Sequence, residues 1–477
     1  MCWGRIHSIT FTGQCEEGER RLEAMRADGR QYRVLLVVAC VTAIASRGVG
    51  AALPGLTDAL IHPPPATGPL AYNSFVPPVT QGASYVDPVF GTTVRQLTTD
   101  HVNDNIYARN MWWNADETRY LHFSKVIEVA TGRVTHTGIP LGTSSADVGF
   151  DPVDSNVLYY LSGNQIRKVT LRAGGTWTDT LYFTAPAPLQ TLGGTLNWLD
   201  ASGRYMLVRY GVEPSVYLYD RQNLGAGPYA NPLNGTNTIG ADHYIGITPD
   251  GQYLVGYQAG VGVKGHAGVS WKINHATRAI APAPTIFWSL CGDHGSFLSG
   301  SDGRNYMITF NCYDAPEVWR VDITNNANGL SAVQQKALPN NRRLLTLTWN
   351  DTGHVTTVAR GPLQDWAFLA TEDGTDTFHS GRADANGNVT PWTGYRQEII
   401  AINVLTGEVG RLAHHRSRSI LQDYFASPRL SASWGGKVVG FASNFNRNGV
   451  NDIYMIPLSA TFFPASISPT VPSQRSK

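Results

Sequence analysis

Three histidines stand at the same place in three similar segments of the chain. His243 begins HYIGITPDG, His294 begins HGSFLSGSDG and His354 begins HVTTVARGPLQD, so each precedes a short strand-like stretch and a turn. Imidazole can ligate a divalent cation or transfer a proton near neutral pH. Three equivalent imidazoles therefore predict a metal site or a metal-free acid–base cluster, with His243 as the candidate general base. The alternative is that each ring only hydrogen-bonds to neighbouring backbone.

A second group of residues could bind an anion. Charged side chains make up 15% of the sequence, so the run HHRSR at residues 414–418, followed by Tyr424, stands out. We expect Arg416 and Arg418 to clamp a carboxylate and Tyr424 to supply a proton. The further candidate substrate-binding residues are Arg109, Arg342, Arg343, His414 and His415. The alternative for residues 414–418 is a solvated surface loop.

The elements that must position these residues are seven similar hairpins. Each consists of a short apolar strand, a turn and a strongly apolar strand, and the copies recur at intervals of roughly 40–70 residues, as in a β-propeller. Their turns fall near Asp116, Asp154, Ser202, Asp250, Asp302, Gln364 and Gly435. Third strands are expected at Val216, Val269, Val318, Ile399 and Asp452. The pattern predicts an all-β fold, a seven-bladed β-propeller of four-stranded antiparallel blades, in which the three histidines converge at one mouth of the central channel.

The ring is expected to be closed by an N-terminal strand. The segment GTTVRQLTT, residues 91–99, precedes the first hairpin, whereas no outermost strand follows the last one. An unpaired sheet edge promotes aggregation. We therefore predict that Thr92–Thr98 pairs with Asp452–Ile456 and completes the last blade.

The ends of the chain are typical of an exported protein. Residues 34–45 (VLLVVACVTAIA) are apolar and follow several arginines, which predicts a signal peptide within a leader at 1–51, with Met25 as a candidate true start. A Pro-rich linker is expected at 52–84, the propeller at 85–460 and a flexible tail at 461–477. The predicted location is periplasmic or secreted, without a stable membrane span.

The composition argues against several classes of protein. Lys and Arg total 37 against 36 Asp and Glu, a net charge of +1, which does not favour a nucleic-acid-binding surface. The chain has 49 Gly and 27 Pro, which favours turn-rich β-structure over long helices. We expect a monomer.

Two cysteines are predicted to form a disulfide. Cys291 and Cys312 lie on either side of the hairpin turn at Asp302, and they are the cysteines that remain once the leader is removed. Residues almost equidistant from a turn face each other across a hairpin, and an oxidising compartment would allow the bond. The alternative is two separately buried thiols.

The amino-acid sequence of the repeats resembles that of the TolB-like propellers and, within that group, of oligogalacturonate lyase and related seven-bladed polysaccharide lyases. The resemblance rests on ITPDGQYLVGY, TTVRQLTT and SPRLSASWGGKVVGFASN. It implies a divalent cation, such as Mn, Ca or Zn, held by histidines on one side of the ring, and His243, His294 and His354 look like counterparts of that group. The Gln-x-x-His-x-His pattern of the lyases is absent around His354.

Together these features predict an exported, carbohydrate-active propeller. The leading hypothesis is a polysaccharide lyase that cleaves a uronate-containing glycan by β-elimination, with an anionic oligo- or polysaccharide as its partner. The main alternative is a non-catalytic binding or envelope-interaction propeller, and a third is a propeller hydrolase or lyase acting on a small substrate.

Overall fold

A computed structural model describes parts of the unit formed by residues 53–477. The described residues are 56–58, 80–101, 112–140, 148–190, 197–211, 215–233, 245–259, 266–290, 294–311, 313–347, 353–372, 395, 397–417, 426–445 and 451–458.

Within these residues the strands form seven sheets, the blades of a β-propeller, numbered here along the chain. The strands before the first repeat are β1 (Leu56–Asp58), β2 (Ser84–Val86) and β3 (Thr93–Gln96). Blade one contains β4 (Arg119–His122), β5 (Lys125–Glu128) and β6 (Val134–His136), with a bridge between Trp113 and Tyr120 at the position of the innermost strand. Blade two contains β7 (Val148–Phe150), β8 (Val157–Ser162), β9 (Gln165–Leu171) and β10 (Trp177–Thr184). Blade three contains β11 (Leu189–Gln190), β12 (Tyr205–Tyr210) and β13 (Ser215–Asp220).

Blades four to seven complete the ring. Blade four contains β14 (Ile245–Ile247), β15 (Tyr253–Ala259), β16 (His266–Asn274), β17 (Ala279–Ile280) and β18 (Thr285–Trp288). Blade five contains β19 (Ser296–Ser299), β20 (Asn305–Asn311), β21 (Glu317–Asp322) and β22 (Arg342–Thr346). Blade six contains β23 (His354–Thr357), β24 (Trp366–Ala370), β25 (Glu398–Asn403) and β26 (Val409–His414). Blade seven contains β27 (Leu430–Ala432), β28 (Val438–Ser443) and β29 (Asp452–Pro457).

Helices are few in the described part of the chain. One α-helix, α1 (Ala332–Lys336), lies between β21 and β22, and short 3₁₀ turns occupy Ala173–Gly175 and Leu224–Ala226. Ser331 caps α1 because its side chain accepts a hydrogen bond from the Gln334 backbone N–H. None of the described helices is long and apolar enough to cross a membrane.

The predicted hairpins are confirmed, and most of their registers agree with the predicted turns. Phe150 pairs with Leu158 on either side of Asp154, and Ser299 pairs with Asn305 on either side of Asp302. Blade six differs, because Thr357 pairs with Ala367, which centres the turn before Gln364. Gly361 adopts a φ of 82° in that turn, a conformation that glycine allows at little cost.

The predicted ring closure is also confirmed. Strand β3 pairs antiparallel with β29, with Gln96 opposite Tyr454 and Arg95 opposite Met455. The buried Asp452 carboxylate anchors the end of this segment, because it accepts hydrogen bonds from Gln96 Nε2 at 3.2 Å and Thr98 Oγ1 at 3.3 Å. The first and last parts of the propeller therefore share one sheet.

Two further N-terminal strands extend the outer edges of blades six and seven. Strand β2 pairs with β3 at the edge of blade seven, and β1 pairs with β26 at the edge of blade six. Residues 56–58 and Ser84 belong to the stretch that the sequence analysis describes as a linker. The reason for the difference is the open edge of the sheet: β1 pairs with backbone groups of β26 that would otherwise face solvent.

The hydrophobic core lies between neighbouring blades. One cluster joins blades five and six through Ile308, Leu345, Leu369 and Ile400. Others join each remaining pair of neighbouring faces, for example Phe441 of blade seven with Phe368 of blade six. Strands that are buried on both faces read as continuous apolar runs, which explains segments such as WAFLA and VVGFAS.

Candidate functional site

The candidate site lies at one end of blade six, here called the His354 end. His354 is the first residue of β23 and pairs with Ala370, the last residue of β24. Glu398, the first residue of β25, likewise pairs with His414, the last residue of β26. Because antiparallel strands alternate in direction, these four residues mark the same end of the blade. The hairpin turns between first and second strands mark the opposite end, here called the turn end.

Hydroxyl side chains connect the innermost strands of blades five, six and seven. Ser296 Oγ lies 3.0 Å from Thr357 Oγ1, and Thr357 Oγ1 donates to the Phe297 carbonyl oxygen at 2.6 Å. On the other side of blade six, the Ala432 N–H donates to Thr356 Oγ1 at 3.1 Å. The His294 carbonyl oxygen also accepts from the Val355 N–H at 3.2 Å. These contacts hold the entries of β19 and β23 side by side.

His294 and His354, two of the three predicted histidines, are in contact. Their rings stack, with centroids 4.3 Å apart and planes 17° from parallel. His354 is buried, whereas His294 is half-buried. His354 Nδ1 lies 2.9 Å from Glu372 Oε1, so any further contact of the His354 ring with a ligand would use Nε2.

Glu372 lies just beyond the end of β24 and is buried at the centre of the site. Ser427 Oγ donates a hydrogen bond to the same Oε1 atom at 2.8 Å. Burial raises the pKa of the Glu372 carboxyl group, while the Ser427 hydroxyl and the nearby charges of His294 and Arg429 act in the opposite direction. Arg429 is also buried. The Glu372 carboxylate thus lies among several basic groups.

The segment after β26 brings further basic residues to this end. His415 Nδ1 accepts a hydrogen bond from the Ser417 N–H at 3.1 Å, so the ring proton of a neutral His415 is on Nε2, which lies 2.9 Å from the Thr371 carbonyl oxygen. Both nitrogens of His415 are therefore engaged with the backbone. Arg416 is buried and has a φ of 58°, an unusual conformation for a residue with a side chain.

The other predicted substrate-binding residues that the structure describes lie in different surroundings. His414 packs against Phe90, with ring centroids 4.9 Å apart, at the outer strand of blade six. Arg342 is the first residue of β22 and donates to the carbonyl oxygens of Leu405 at 2.7 Å and Thr406 at 3.0 Å, which places it at the turn end.

Arg343 forms an ion pair in blade five. Its Nη1 atom lies 3.1 Å from Glu317 Oε1, and Lys336 Nζ lies 3.1 Å from the other oxygen of the same carboxylate. The structure thus brings His294, His354 and His415 close to Glu372. Arg416 directly follows His415 in the sequence. The structure does not bring Arg342 to that group.

Several predicted residues lie outside the described part of the chain. They are Arg109, His243, Arg418, Tyr424, Cys291 and Cys312. The roles proposed for these residues, and the disulfide, stay predictions.

The described residues do not form a metal site in this arrangement. They contain no group of three or more His, Cys, Asp or Glu side chains that could hold an ion. A shared ion would lie about 2.1 Å from each ligating nitrogen and close to the plane of each ring. Two stacked rings whose planes differ by 17° cannot both meet this requirement.

Sequence reasoning missed Glu372, Ser427 and Arg429. The sequence contains one signal for Glu372: this charged residue comes only two positions after the fully apolar strand WAFLA. Ser427 and Arg429 precede the innermost strand of the last blade, the same structural position that drew attention to the histidines.

Comparisons with known proteins find only remote likenesses among solved structures. No protein-family model matches the sequence, and no curated protein matches it either. A solved oligogalacturonate lyase in complex with manganese has a TM-score of 0.49 and 14% identity, over 82% of this chain and 100% of that one. An oligogalacturonate lyase from Vibrio parahaemolyticus has a TM-score of 0.47 and 12% identity, over 80% of this chain and 97% of that one. TolB from Acinetobacter baumannii has a TM-score of 0.34 and 14% identity, over 63% of this chain and 62% of that one.

The architecture rests on the strand order of the described residues, which form seven antiparallel sheets arranged as the blades of a β-propeller.

Proposed function

We propose that the protein is an exported polysaccharide lyase that cleaves a uronate-containing glycan by β-elimination at the His354 end of the propeller. One observation carries the proposal. His354 contacts the buried carboxylate of Glu372, and the charges of His294, His415 and Arg429 act on it. The buried Arg416 follows His415 in the chain.

The excess of basic groups favours an anionic ligand. Arg416 and Arg429 are buried, and Glu372 is the carboxylate found among them in the described residues. Charges interact more strongly in a buried, low-dielectric site than in water, so an incoming carboxylate would gain more here than at an exposed patch. A uronate carries such a carboxylate on the carbon next to the bond that β-elimination breaks.

The reaction needs one base, one acid and a partner for the carboxylate. A base takes the proton from C5, and the C5–H electron pair becomes delocalised into the carboxylate as an enolate-like charge. That charge then forms the C4=C5 double bond as the C4–O4 bond breaks, and O4 leaves with the bonding pair and takes up a proton from an acid. A guanidinium that neutralises the carboxylate stabilises the developing charge.

The described residues offer candidates for these tasks. Arg416 or Arg429 would neutralise the uronate carboxylate, and His294 or His354 would transfer a proton. His415 is a structural residue in this scheme, because both of its ring nitrogens are bonded to backbone groups. His243 as base and Tyr424 as acid complete the proposal, since both residue types can transfer protons. No step is assigned to a metal ion.

A non-catalytic glycan-binding propeller is the second candidate. It is favoured by the bonding of both His415 ring nitrogens to backbone groups, because this ring cannot at the same time accept a substrate proton. A binding protein would keep the basic cluster and would not need an accessible base.

The test is to incubate the purified mature protein with a panel of uronate polymers and oligomers. Formation of the unsaturated product is measured by its absorbance. We expect product with at least one uronate and none with neutral glycans. His294→Ala should abolish the product, whereas His275→Gln should not, because His275 is held in blade four by Tyr229 and the Gly251 carbonyl oxygen. Binding of a uronate oligomer without product would favour the second candidate, and neither binding nor product would refute both.

A further inference from the structure

Glu372 connects two blades and the histidine pair. Its Oε1 atom lies 2.9 Å from His354 Nδ1 of blade six and accepts a hydrogen bond from Ser427 Oγ, which precedes blade seven, at 2.8 Å. The carboxylate is buried, so water does not compete strongly for these contacts. A ring that is held at one nitrogen by a buried acceptor has little freedom to rotate.

The backbone of His354 is fixed as well. Gly353 has a φ of 89°, and a Cβ atom placed on it would overlap the Ala370 carbonyl oxygen. The chain therefore approaches β24 more closely than another residue would allow. Together, Gly353 and Glu372 determine where the His354 ring lies and how it is turned.

The resulting stack differs from a pair of metal ligands. The two rings are separated face to face by 4.3 Å between centroids, and their planes differ by 17°. The lone pair of an imidazole nitrogen lies in the plane of the ring, so two ligands of one ion must direct their ring planes towards a common point. To do so here, one of the two rings would have to leave the stack, and a rotation of His354 would break its contact with Glu372.

We infer that Glu372 is a positioning residue, which holds His354 stacked on His294 in a form that does not chelate a metal ion. The kinetic consequence of this inference rests on the proposed function, because a correctly turned His354 is needed for proton transfer or hydrogen bonding to the substrate. The structural consequence does not depend on that function. It concerns only the orientation of two rings and their affinity for a cation.

The experiment compares the wild type with Glu372→Gln, Glu372→Ala and Ser427→Ala. Glu398→Gln is the matched control, because Glu398 is another buried carboxylate of blade six and is held by Arg411 at 2.6 Å and by the Tyr395 N–H rather than by a histidine. The first measurement is the NMR shift of the His294 and His354 ring protons. Stacking should displace these signals in the wild type, Glu372→Ala should remove the displacement, and Glu372→Gln and Glu398→Gln should retain it.

The second measurement is the affinity for Mn²⁺ in the absence of substrate, determined by calorimetry. We expect that neither His294→Ala nor His354→Ala changes the affinity of the folded protein for Mn²⁺. Loss of Mn²⁺ binding in both variants would show that the pair chelates the ion and would overturn the inference. An unchanged ring-proton shift in folded Glu372→Ala and Ser427→Ala would also overturn it.

The third measurement applies if a uronate substrate is found. Glu372→Ala should lower kcat by about tenfold or more with little change in KM, because a misplaced group slows the chemical step. Glu372→Gln should restore much of that loss, since its amide oxygen can still accept from Nδ1. If no substrate is found, the proposed function fails while the ring-proton and Mn²⁺ measurements still decide the present inference.

Discussion

Arg360 of blade six donates a hydrogen bond from Nη1 to the Ala201 carbonyl oxygen of blade three, on the opposite side of the ring, at 3.3 Å. The same guanidinium donates to the carbonyl oxygens of Pro152 in blade two at 2.7 Å and Ala115 in blade one at 2.8 Å. It also lies 5.7 Å from the ring centroid of Trp434 in blade seven. One side chain at the turn end thus joins five blades.

Arg360→Met should destabilise the propeller without affecting the His354 end. Burial lowers the pKa of the Arg360 guanidinium, but the group stays charged at neutral pH, and its removal leaves three carbonyl oxygens without this donor. We expect a loss on the order of 2 kcal/mol in the free energy of unfolding, measured by urea denaturation. Arg133→Met is the control, because Arg133 is mostly exposed and lies 3.8 Å from Glu128. An equal loss in both variants would show that Arg360 does not join the blades energetically.

The ring closure should depend on Asp452. Its buried carboxylate accepts from Gln96 Nε2, Thr98 Oγ1 and the His101 N–H, and it also lies 3.0 Å from His101 Nδ1. Asp452→Ala leaves buried donors unsatisfied, and we expect it to cost about 2–3 kcal/mol.

The measurement for this prediction is hydrogen exchange of the β3 amides together with the free energy of unfolding. Asp154→Ala is the control, because Asp154 forms only a local contact with the Asn156 N–H at 3.0 Å in an exposed turn. Faster exchange in β3 is expected for Asp452→Ala alone. Unchanged exchange there would mean that backbone pairing suffices to close the ring.

The fold could be predicted in detail because its signals are local and repeated. An apolar alternation, a turn residue and a second apolar strand recur in each hairpin, so Asp154 and Asp302 mark their turns correctly. The closing strand was predictable because an open edge is unfavourable. Strand β1 was not, since three residues in a Pro-rich context carry no periodicity, and their pairing with β26 depends on the edge that the folded blade presents.

The site could be predicted only in part. The equivalence of His294 and His354 follows from the repeat, and the structure places their rings in contact. The role of Glu372 depends on which residues of other blades surround it, and the sequence does not specify the turns and crossings that bring Ser427 and Arg429 close. Arg342 illustrates the opposite case: its type suggested a substrate contact, whereas its strand directs it to backbone carbonyls at the turn end.

Stability at acidic pH should depend on Asp100. The hydrogen bond from His122, at 3.2 Å, and the contact with Lys125 Nζ, at 2.7 Å, hold the pKa of the Asp100 carboxyl group well below its usual range. A carboxylate with a lowered folded-state pKa contributes stability above its unfolded pKa of about 3.9, and this contribution is lost as pH falls below that value.

Asp100→Asn should therefore reduce the free energy of unfolding at pH 7 and have a smaller effect as the pH falls below about 4. The measurement is urea denaturation of both proteins between neutral and acidic pH. Asp154→Asn provides a comparison in an exposed turn, where the side chain accepts a hydrogen bond from the Asn156 N–H at 3.0 Å. A difference between wild type and Asp100→Asn that does not depend on pH would contradict the proposed origin of the effect.

Gly353→Ala should displace His354 through the backbone alone. Gly353 has a φ of 89°, and the Ala370 carbonyl oxygen occupies the position that a Cβ atom on residue 353 would take. The substitution combines an unfavourable φ, which costs about 1 kcal/mol, with a steric overlap against backbone that cannot move easily, so we expect a total loss on the order of 3 kcal/mol.

Gly138→Ala is the control that separates these two contributions, because Gly138 has a φ of 69° and a Cβ placed on it would meet no atom within 4 Å. The loss of stability in Gly138→Ala should be limited to the cost of the unfavourable φ. Thermal or urea unfolding measures both, and the ring-proton shifts of His294 and His354 should change in Gly353→Ala but not in Gly138→Ala. If the two variants lose the same stability and leave the stack unchanged, the close approach of β23 to β24 does not position His354.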